Sequence, residues 1–311
     1  MTDPPEVMVL GDVAVDWTVN VSRLPEPDSL VLARSCTRFA GGSAANVAVG
    51  LTRLGHPAGF IGQVGDDEDG RFLLKAFRDE GVDIKDVVTL TEYETPSTVV
   101  MVDERGTHMI VVLPRDAEAH RLQAPDLSRV ARADAIHIGP SHTAVARDAA
   151  MRAREGDAQV FYAPGGVARF VSRADLWPVL ELTDALFVSR SEAVALTDRS
   201  SPAEATRALL DTGPDIVVET VGAEGAFVAS GNGVRHIPPL PIPPTRDTTG
   251  AGAAFAAGFI AAWLRGFDWD AAAHLGGTAA ALTIQHLGAR TGLPGWEETL
   301  AAAPGVGDGG A

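Results

Sequence analysis

Short runs of apolar, β-branched and aromatic residues at 135–138, 160–163, 185–188 and 215–220 alternate with helix-like stretches at 143–154, 192–196 and 203–210. Strands separated by a helix's length of chain do not close as hairpins. They line up parallel, with the intervening helices covering the faces of the sheet. The alternation predicts an α/β fold with a doubly wound, mostly parallel sheet. The chain has 311 residues, of which 46% are hydrophobic and 21% charged, enough apolar material for a substantial core and no sign of a coiled-coil rod or a disordered chain.

Other segments fill in the frame. Residues 7–10 and 13–17 flank Gly11 and Asp12 and read as one strand with a tight turn or bulge, delivering Asp16 near its end. A strand at 60–64 precedes a helix at 71–80 that stops at Gly81. Residues 98–102 and 109–113 read as a hairpin around a turn at 103–106, and 227–229 with 234–237 as a second one around Gly231-Asn-Gly233. The proline-rich 238–244 is expected to run extended, and two Ala-rich helices at 251–264 and 270–285 complete the core. One domain is expected over 1–302, with a small β lid from about 17–40 and 95–113, and a frayed tail at 303–311.

Charge narrows the partners. With 25 basic and 41 acidic side chains the formal charge is −16, and no Lys or Arg run offers a polyanion a foothold, so nucleic acid is not expected as a partner. The single cysteine, Cys36, permits neither an intrachain disulfide nor a cysteine-based zinc site and fits a reducing cytoplasm. It is read as a small packing residue. No positively charged leader opens the chain and no long uncharged apolar stretch predicts a membrane span.

The segment most suggestive of chemistry is Asp247-Thr-Thr-Gly250-Ala-Gly252-Ala253. Small residues here open a long helix, so the amides of Gly250, Ala251 and Gly252 are expected to be unpaired at the positive end of the helix dipole, a place for an anion. The alternative is that Thr248 or Thr249 simply caps the helix. Elsewhere, His137 and His142 flank Gly-Pro without a third ligand and read as structural. Phe161, Tyr162 and Phe170 are assigned to the core, with an aromatic stacked on a base as the alternative.

Gly41-Gly42-Ser-Ala-Ala-Asn46, followed by an apolar helix to Gly55, resembles the first signature of the ribokinase-like (PfkB) sugar kinases, and Asp247 to Gly252 resembles the second. Gly11 to Asp16 is similar to the family's opening strand, 95–113 to its lid, Ser189-Arg-Ser-Glu192 to an Asn-x-x-Glu motif, and Thr220-Val-Gly222 to a nucleotide-loop Thr-Leu-Gly. The resemblance implies a kinase that moves the γ-phosphoryl group of ATP to a hydroxyl of a ribose- or fructose-like sugar or a nucleoside, with Mg2+ and a monovalent cation such as K+ as further cofactors. It implies that Asp16, Gly41, Gly42 and Asn46 bind the acceptor, while Ser189, Thr220, Gly222 and Gly277 line the nucleotide. It also implies that Gly250, Ala251 and Gly252 form an anion hole, that Glu192 holds Mg2+ through water, and that Asp247, Thr249 and Gly288 surround the monovalent cation. For Asp16 a turn-stabilising role is the structural alternative, for Asn46 a satisfied helix amide, for Glu192 a solvated helix face and for Asp247 an ordinary helix-entry acid. A homodimer through an apolar face of the lid is also expected.

The chain departs from the family pattern at the position of greatest consequence. The second signature ends in an aspartate that acts as the base, and here the residue is Ala253. A methyl group accepts no proton, so the chain as written is expected to bind ligands and turn over poorly. The reading is an inactivated kinase, with a natural pseudokinase as the alternative. Ser189 stands where the motif has asparagine, and Gly277 where an asparagine often lies near the adenine.

Overall fold

The computed structural model describes residues 6–113, 125–240 and 244–306. In chain order the strands are β1 (Val7–Leu10), β2 (Ala14–Val21), β3 (Ala33–Gly41), β4 (Ala58–Gly65), β5 (Asp83–Leu90), β6 (Ser97–Val102), β7 (His108–Leu113), β8 (Ala135–Ile138), β9 (Gln159–Tyr162), β10 (Ala185–Ser189), β11 (Ile216–Thr220), β12 (Ala226–Ser230) and β13 (Gly233–Ile237). The helices are α1 (Ser43–Arg53), α2 (Glu68–Asp79), α3 (Thr143–Glu155), α4 (Arg173–Leu180), α5 (Arg190–Thr197), α6 (Pro202–Leu210), α7 (Ala251–Leu264), α8 (Trp269–Thr283) and α9 (Trp296–Ala302).

Among the described residues the strands form a large sheet of order β13-β12-β11-β10-β9-β8-β1-β4-β5 and a small sheet of order β3-β2-β6-β7. From β11 to β5 the large sheet is parallel, and β12 and β13 extend it antiparallel. β1 is central: the chain builds β4 and β5 on one side and then crosses to β8 on the other. In such sheets the crevice at the carboxyl ends of the strands, where the winding reverses, is the natural ligand site. Here that position falls at Gly11, after β1, and Gly139, after β8, both packed against Ala44 at the start of α1.

Strand alternation sorts the core into two layers. Val7 and Val9 face one apolar cluster with α1, α7 and α8, while Met8 and Leu10 face the other, with α3 to α6. Helix α7 is buried without a break from Ala253 to Ala262, which explains why its sequence is apolar all round. It is packed between α1 and α8 through small residues. A Cβ on Gly50 would stand 2.7 Å from that of Ala257, and one on Gly258 would stand 3.0 Å from the Gly276 Cα. Phe259 stacks edge-on to Phe187 at 5.3 Å, each such side chain contributing roughly 1.5–3 kcal/mol on burial. No helix among the described residues is long and apolar enough to cross a membrane.

Several expectations need correction. Residues 7–17 are two strands in two sheets. Asp12 turns inward to accept from the amides of Ser43 and Ala44 (2.9 and 2.8 Å), the chain bends between them, and Asp16 lands early in β2 of the small sheet. That sheet therefore starts at Ala14, ahead of the expected 17. Strand β3 falls in the expected lid segment, whereas the sequence reading has no counterpart for strand β5 or for helices α4 and α9. Ala303 is buried in the main core and Val306 packs against it, while 307–311 lie outside the described residues, as does part of 238–244. Phe161 and Tyr162 are core residues, but Phe170 is 89% exposed, and Cys36 is exposed on β3.

Candidate active site

The crevice is floored by glycines. Gly42, with φ +94°, is the N-cap of α1 and lies against the Asp12 carbonyl and the Val13 Cα, leaving no room for a side chain. On Gly41 an added Cβ would fall 1.9 Å from Asp16 Oδ2. Asp16 is 9% exposed and accepts a short hydrogen bond from the Thr98 hydroxyl of β6. Burial pushes its carboxyl above the usual range; the Thr98 bond and the Arg290 charge oppose this, and the charges of Asp12 and Asp247 add to it.

Asn46, in the first turn of α1, is buried with Oδ1 accepting from Arg290 Nε at 2.7 Å. Its Nδ2 has no protein acceptor among the described residues.

The second glycine corner precedes α7. Asp247 is buried and its carboxylate is fully engaged, with Oδ1 accepting from the Thr249 amide and Oδ2 from the Gly288 amide, both at 2.9 Å. It staples the approach to α7 onto the 288–290 loop. Gly288, at φ +82°, in turn packs against the Phe39 ring of β3. The N-cap of α7 is Gly250 at φ +84°, with no side-chain cap, so neither Thr248 nor Thr249 caps this helix. A Cβ on Gly250 would strike Ala289 at 2.7 Å, whereas one on Gly252 would meet nothing within 4 Å. The amides of Gly250 and Gly252 meet no protein acceptor among the described residues. The Ala251 amide, expected to be free, is turned back onto the Thr248 carbonyl at 3.3 Å. Ala253 is the third residue of the helix, 7% exposed.

Further along the same edge, Ser189 ends β10 beside Thr220, which ends β11 in register with it. Ser189 and Glu192 form a capping box: Glu192 Oε2 accepts from the Ser189 amide at 2.8 Å, and the Ser189 hydroxyl accepts from the Glu192 amide. Gly222, at φ +62°, is open, and a Cβ on Gly277 of α8 would meet only the Phe255 ring at 3.8 Å. Among the described residues no side-chain hydrogen bond joins Ser189, Glu192, Thr220 or Gly222 to the Gly250 corner, and Ser189 and Thr220 lie at the carboxyl ends of neighbouring parallel strands.

Gly41 and Asn46, in contrast, are linked to the Asp247 corner through Arg290. Arg290, two residues beyond Gly288, donates to Asn46 and, through Nη2 at 2.9 Å, to the Gly41 carbonyl. His108, at the start of β7, shares a 2.9 Å hydrogen bond with the Thr248 hydroxyl, tying the small sheet to the same corner. Neither residue stood out in the sequence. Arg290 lies in a Gly-Ala-Arg-Thr-Gly loop without periodicity, and His108 is one polar residue at the mouth of a hairpin. His137 is buried on β8 with both ring nitrogens unpartnered, and the desolvation holds its pKa near 3. His142 caps α3. Among the described residues no three acidic, histidine or cysteine side chains are grouped to hold a metal.

The glycine corners at the starts of α1 and α7 are linked through Arg290 on a doubly wound sheet, and the proteins this chain is similar to are phosphotransferase kinases. The family model for pfkB family carbohydrate kinases matches residues 4–296. An ATP-dependent ribose-1-phosphate kinase of Halopiger xanaduensis is 34% identical over 287 residues, covering 92% of this chain and 94% of that protein. A nucleoside kinase of Methanothermobacter thermautotrophicus is 25% identical over 300 residues, covering 96% of each. The structure of Arabidopsis thaliana ribokinase complexed with ribose and ATP superposes with a TM-score of 0.84 at 23% identity, over 97% of this chain and 99% of that one. The chain belongs to the PfkB family of carbohydrate kinases, whose members here are sugar and nucleoside kinases.

Proposed function

We propose that this chain binds ATP and a ribose-like acceptor, either a sugar, a sugar phosphate or a nucleoside, in the crevice between β1 and β8, and that its site is built for transfer of the γ-phosphoryl group to an acceptor hydroxyl. The observation that carries the reading is the bridge between the two signatures, Arg290 reaching from the loop stapled by Asp247 to Asn46 and Gly41.

The residues present fit a nucleotide. Open space over Gly222 and Gly252 admits phosphate or base where any side chain would intrude, and the Gly250 and Gly252 amides stand at the positive end of α7. Glu192 keeps one carboxylate oxygen outside its capping box, which suits a magnesium ion held through water and phosphate oxygens. ATP supplies the phosphoryl group and Mg2+ offsets its charge. Asp16 would accept from acceptor hydroxyls, Asn46 Nδ2 would donate to one, and the Gly250 and Gly252 amides would stabilise the charge developing on the transferring group. A K+ ion near Asp247, Thr249 and Gly288 is part of the proposal. The Thr249 hydroxyl is buried there without a partner among the described residues, and each Asp247 oxygen accepts one amide and keeps a second lone pair for a cation.

Ala253 leaves the first turn of α7 without a proton acceptor of its own, and Asp247 and Asp12 each accept two backbone amides that favour their charged, weakly basic form. We therefore read the chain as a kinase with its base removed, binding both ligands and turning over slowly. The methyl group itself favours the second reading, a binding protein on a kinase scaffold. Differential scanning fluorimetry with ADP and Mg2+, ribose, ribose 1-phosphate and inosine tests the binding both readings require. A rise in Tm with ADP and with at least one acceptor supports the assignment, and no shift with any of them refutes it.

The proposal includes a homodimer. β7 is an edge strand whose Met109 to Leu113 are all exposed, Val112 at 60%, a surface a lone sheet rarely leaves bare. A second copy of this chain would cover it, and light scattering with a Val112→Glu variant reads the loss of that dimer. A reducing cytoplasm is the compartment proposed, on the lone exposed thiol of Cys36.

A further inference from the structure

Arg290 is placed at a cost that core filling does not explain. It is 8% exposed, its Nη1 is buried with no partner among the described residues, and burial pulls its pKa down to about 10, so it remains charged at neutral pH. A buried guanidinium with an unsatisfied N–H is destabilising relative to an apolar side chain of similar volume. Its position is nevertheless firmly set. Arg53 donates from Nη1 to the Arg290 and Leu293 carbonyls at 2.8 and 3.0 Å, and Arg53 is itself fixed by a 2.6 Å ion pair to Glu80. The Phe77 ring lies 5.2 Å from the guanidinium carbon.

What Arg290 holds is the acceptor side of the crevice. Nε takes Asn46 Oδ1, and Nη2 takes the carbonyl of Gly41, the residue on whose α-carbon Asp16 rests. An asparagine amide has two polar ends and can sit either way round. With Oδ1 held by the guanidinium, the ambiguity is removed, and Nδ2 is the end left without a protein partner among the described residues.

We propose that Arg290 is a positioning residue for the acceptor: by engaging Asn46 Oδ1 and the Gly41 carbonyl it fixes Asn46 as a donor, so that Asn46 and the carboxylate of Asp16 together present one donor and one acceptor to neighbouring acceptor oxygens. The inference rests on the acceptor reading above. It predicts that acceptor affinity depends on Arg290 through Asn46, and that nucleotide affinity does not.

Isothermal titration of the full chain with inosine, ribose and ribose 1-phosphate, and separately with ADP and Mg2+, tests it. Arg290→Met should weaken the acceptor bound by the parent about tenfold or more, as loss of a charge-assisted hydrogen bond does, while Arg290→Lys, which keeps one donor, should lose roughly half that in free energy, about threefold. The double variant Arg290→Met with Asn46→Ala should bind no worse than Asn46→Ala alone within about twofold, since residues acting as a unit are not additive. ADP affinity should stay within about twofold of the parent in every variant, which also certifies the fold. Additive losses in the double variant, or unchanged acceptor affinity in Arg290→Met, overturn the inference and leave the kinase reading standing. A parent chain that binds ADP and none of the acceptors overturns both.

Discussion

Returning a carboxylate to the first turn of α7 separates a kinase lacking its base from a protein that never transfers phosphate. Ala253 is the third residue after the Gly250 N-cap, where a carboxylate meets the positive end of the helix dipole, a favourable effect of about 0.3–1 kcal/mol. It is also 7% exposed, and the desolvation that penalises a charge there keeps a carboxylate basic enough to take a proton. The two effects oppose each other, so Ala253→Asp is expected to fold with a stability change of no more than about 1–2 kcal/mol. A positioned base contributes roughly 10² to 10⁴-fold, about 3–5 kcal/mol of barrier, and that is the gain expected in kcat. The assay is acceptor-dependent ADP release, with Ala253→Asn as the control of equal size that accepts no proton. A folded Ala253→Asp that binds ADP and acceptor yet is no faster than Ala253→Asn refutes the reasoning and leaves the binding-protein reading.

Gly250→Ala adds a Cβ 2.7 Å from Ala289 at a φ of +84°, and should cost about 2 kcal/mol or more of stability by denaturant melts and at least tenfold in ADP affinity. Glu219, buried on β11 with one oxygen unpartnered, has a pKa raised to about 7 by burial against an ordinary 4.5. Folded protein holds a proton that the unfolded chain has released, so stability falls as pH rises from about 4.5 through about 7, and Glu219→Gln should remove a loss on the order of 2 kcal/mol from urea melts across that range. His137 has the opposite sign. It is neutral in the fold, with a pKa near 3 against an ordinary 6.5, so stability present above pH 6.5 is lost as pH falls towards 3, and His137→Phe should flatten that acid limb. His108→Ala removes the bond from β7 to Thr248 and should speed ADP dissociation about two- to tenfold in stopped-flow, with little change in the melt.

The large sheet was legible because its strands are short apolar runs spaced by helices, a pattern that admits few arrangements. The helices at α7 and α8 were legible from their alanine content, and the hairpins from Gly231-Asn-Gly233 and the turn before His108. What escaped was the split between β1 and β2. Both halves are apolar, and only the tertiary demand of Asp12 for the α1 amides bends the chain at Gly11 and sends Asp16 to the other sheet. β5 escaped for a related reason: an edge strand with one face half in solvent carries charges such as Lys85 and Asp86 that blur its alternation. At the site, the glycines were readable because positive φ and close approach demand them. The Ser189 and Glu192 pair has a capping box as its local cause, so the geometry alone gives it no further role. Arg290 was invisible because its partners, Gly41 and Asn46, are 249 and 244 residues away in sequence, and no local signal encodes such a meeting.

The account stands on Asp16 and the Gly250 corner serving one reaction space. The most direct measurement is a crystal structure of the full chain with Mg2+, a non-hydrolysable ATP analogue and the acceptor that binds it. The account predicts the terminal phosphate on the Gly250 and Gly252 amides, Asp16 bonded to acceptor hydroxyls, and an acceptor oxygen roughly 3–3.5 Å from the terminal phosphorus in line with its leaving oxygen. An acceptor bound away from Asp16, or a triphosphate running along another edge of the sheet, would contradict it.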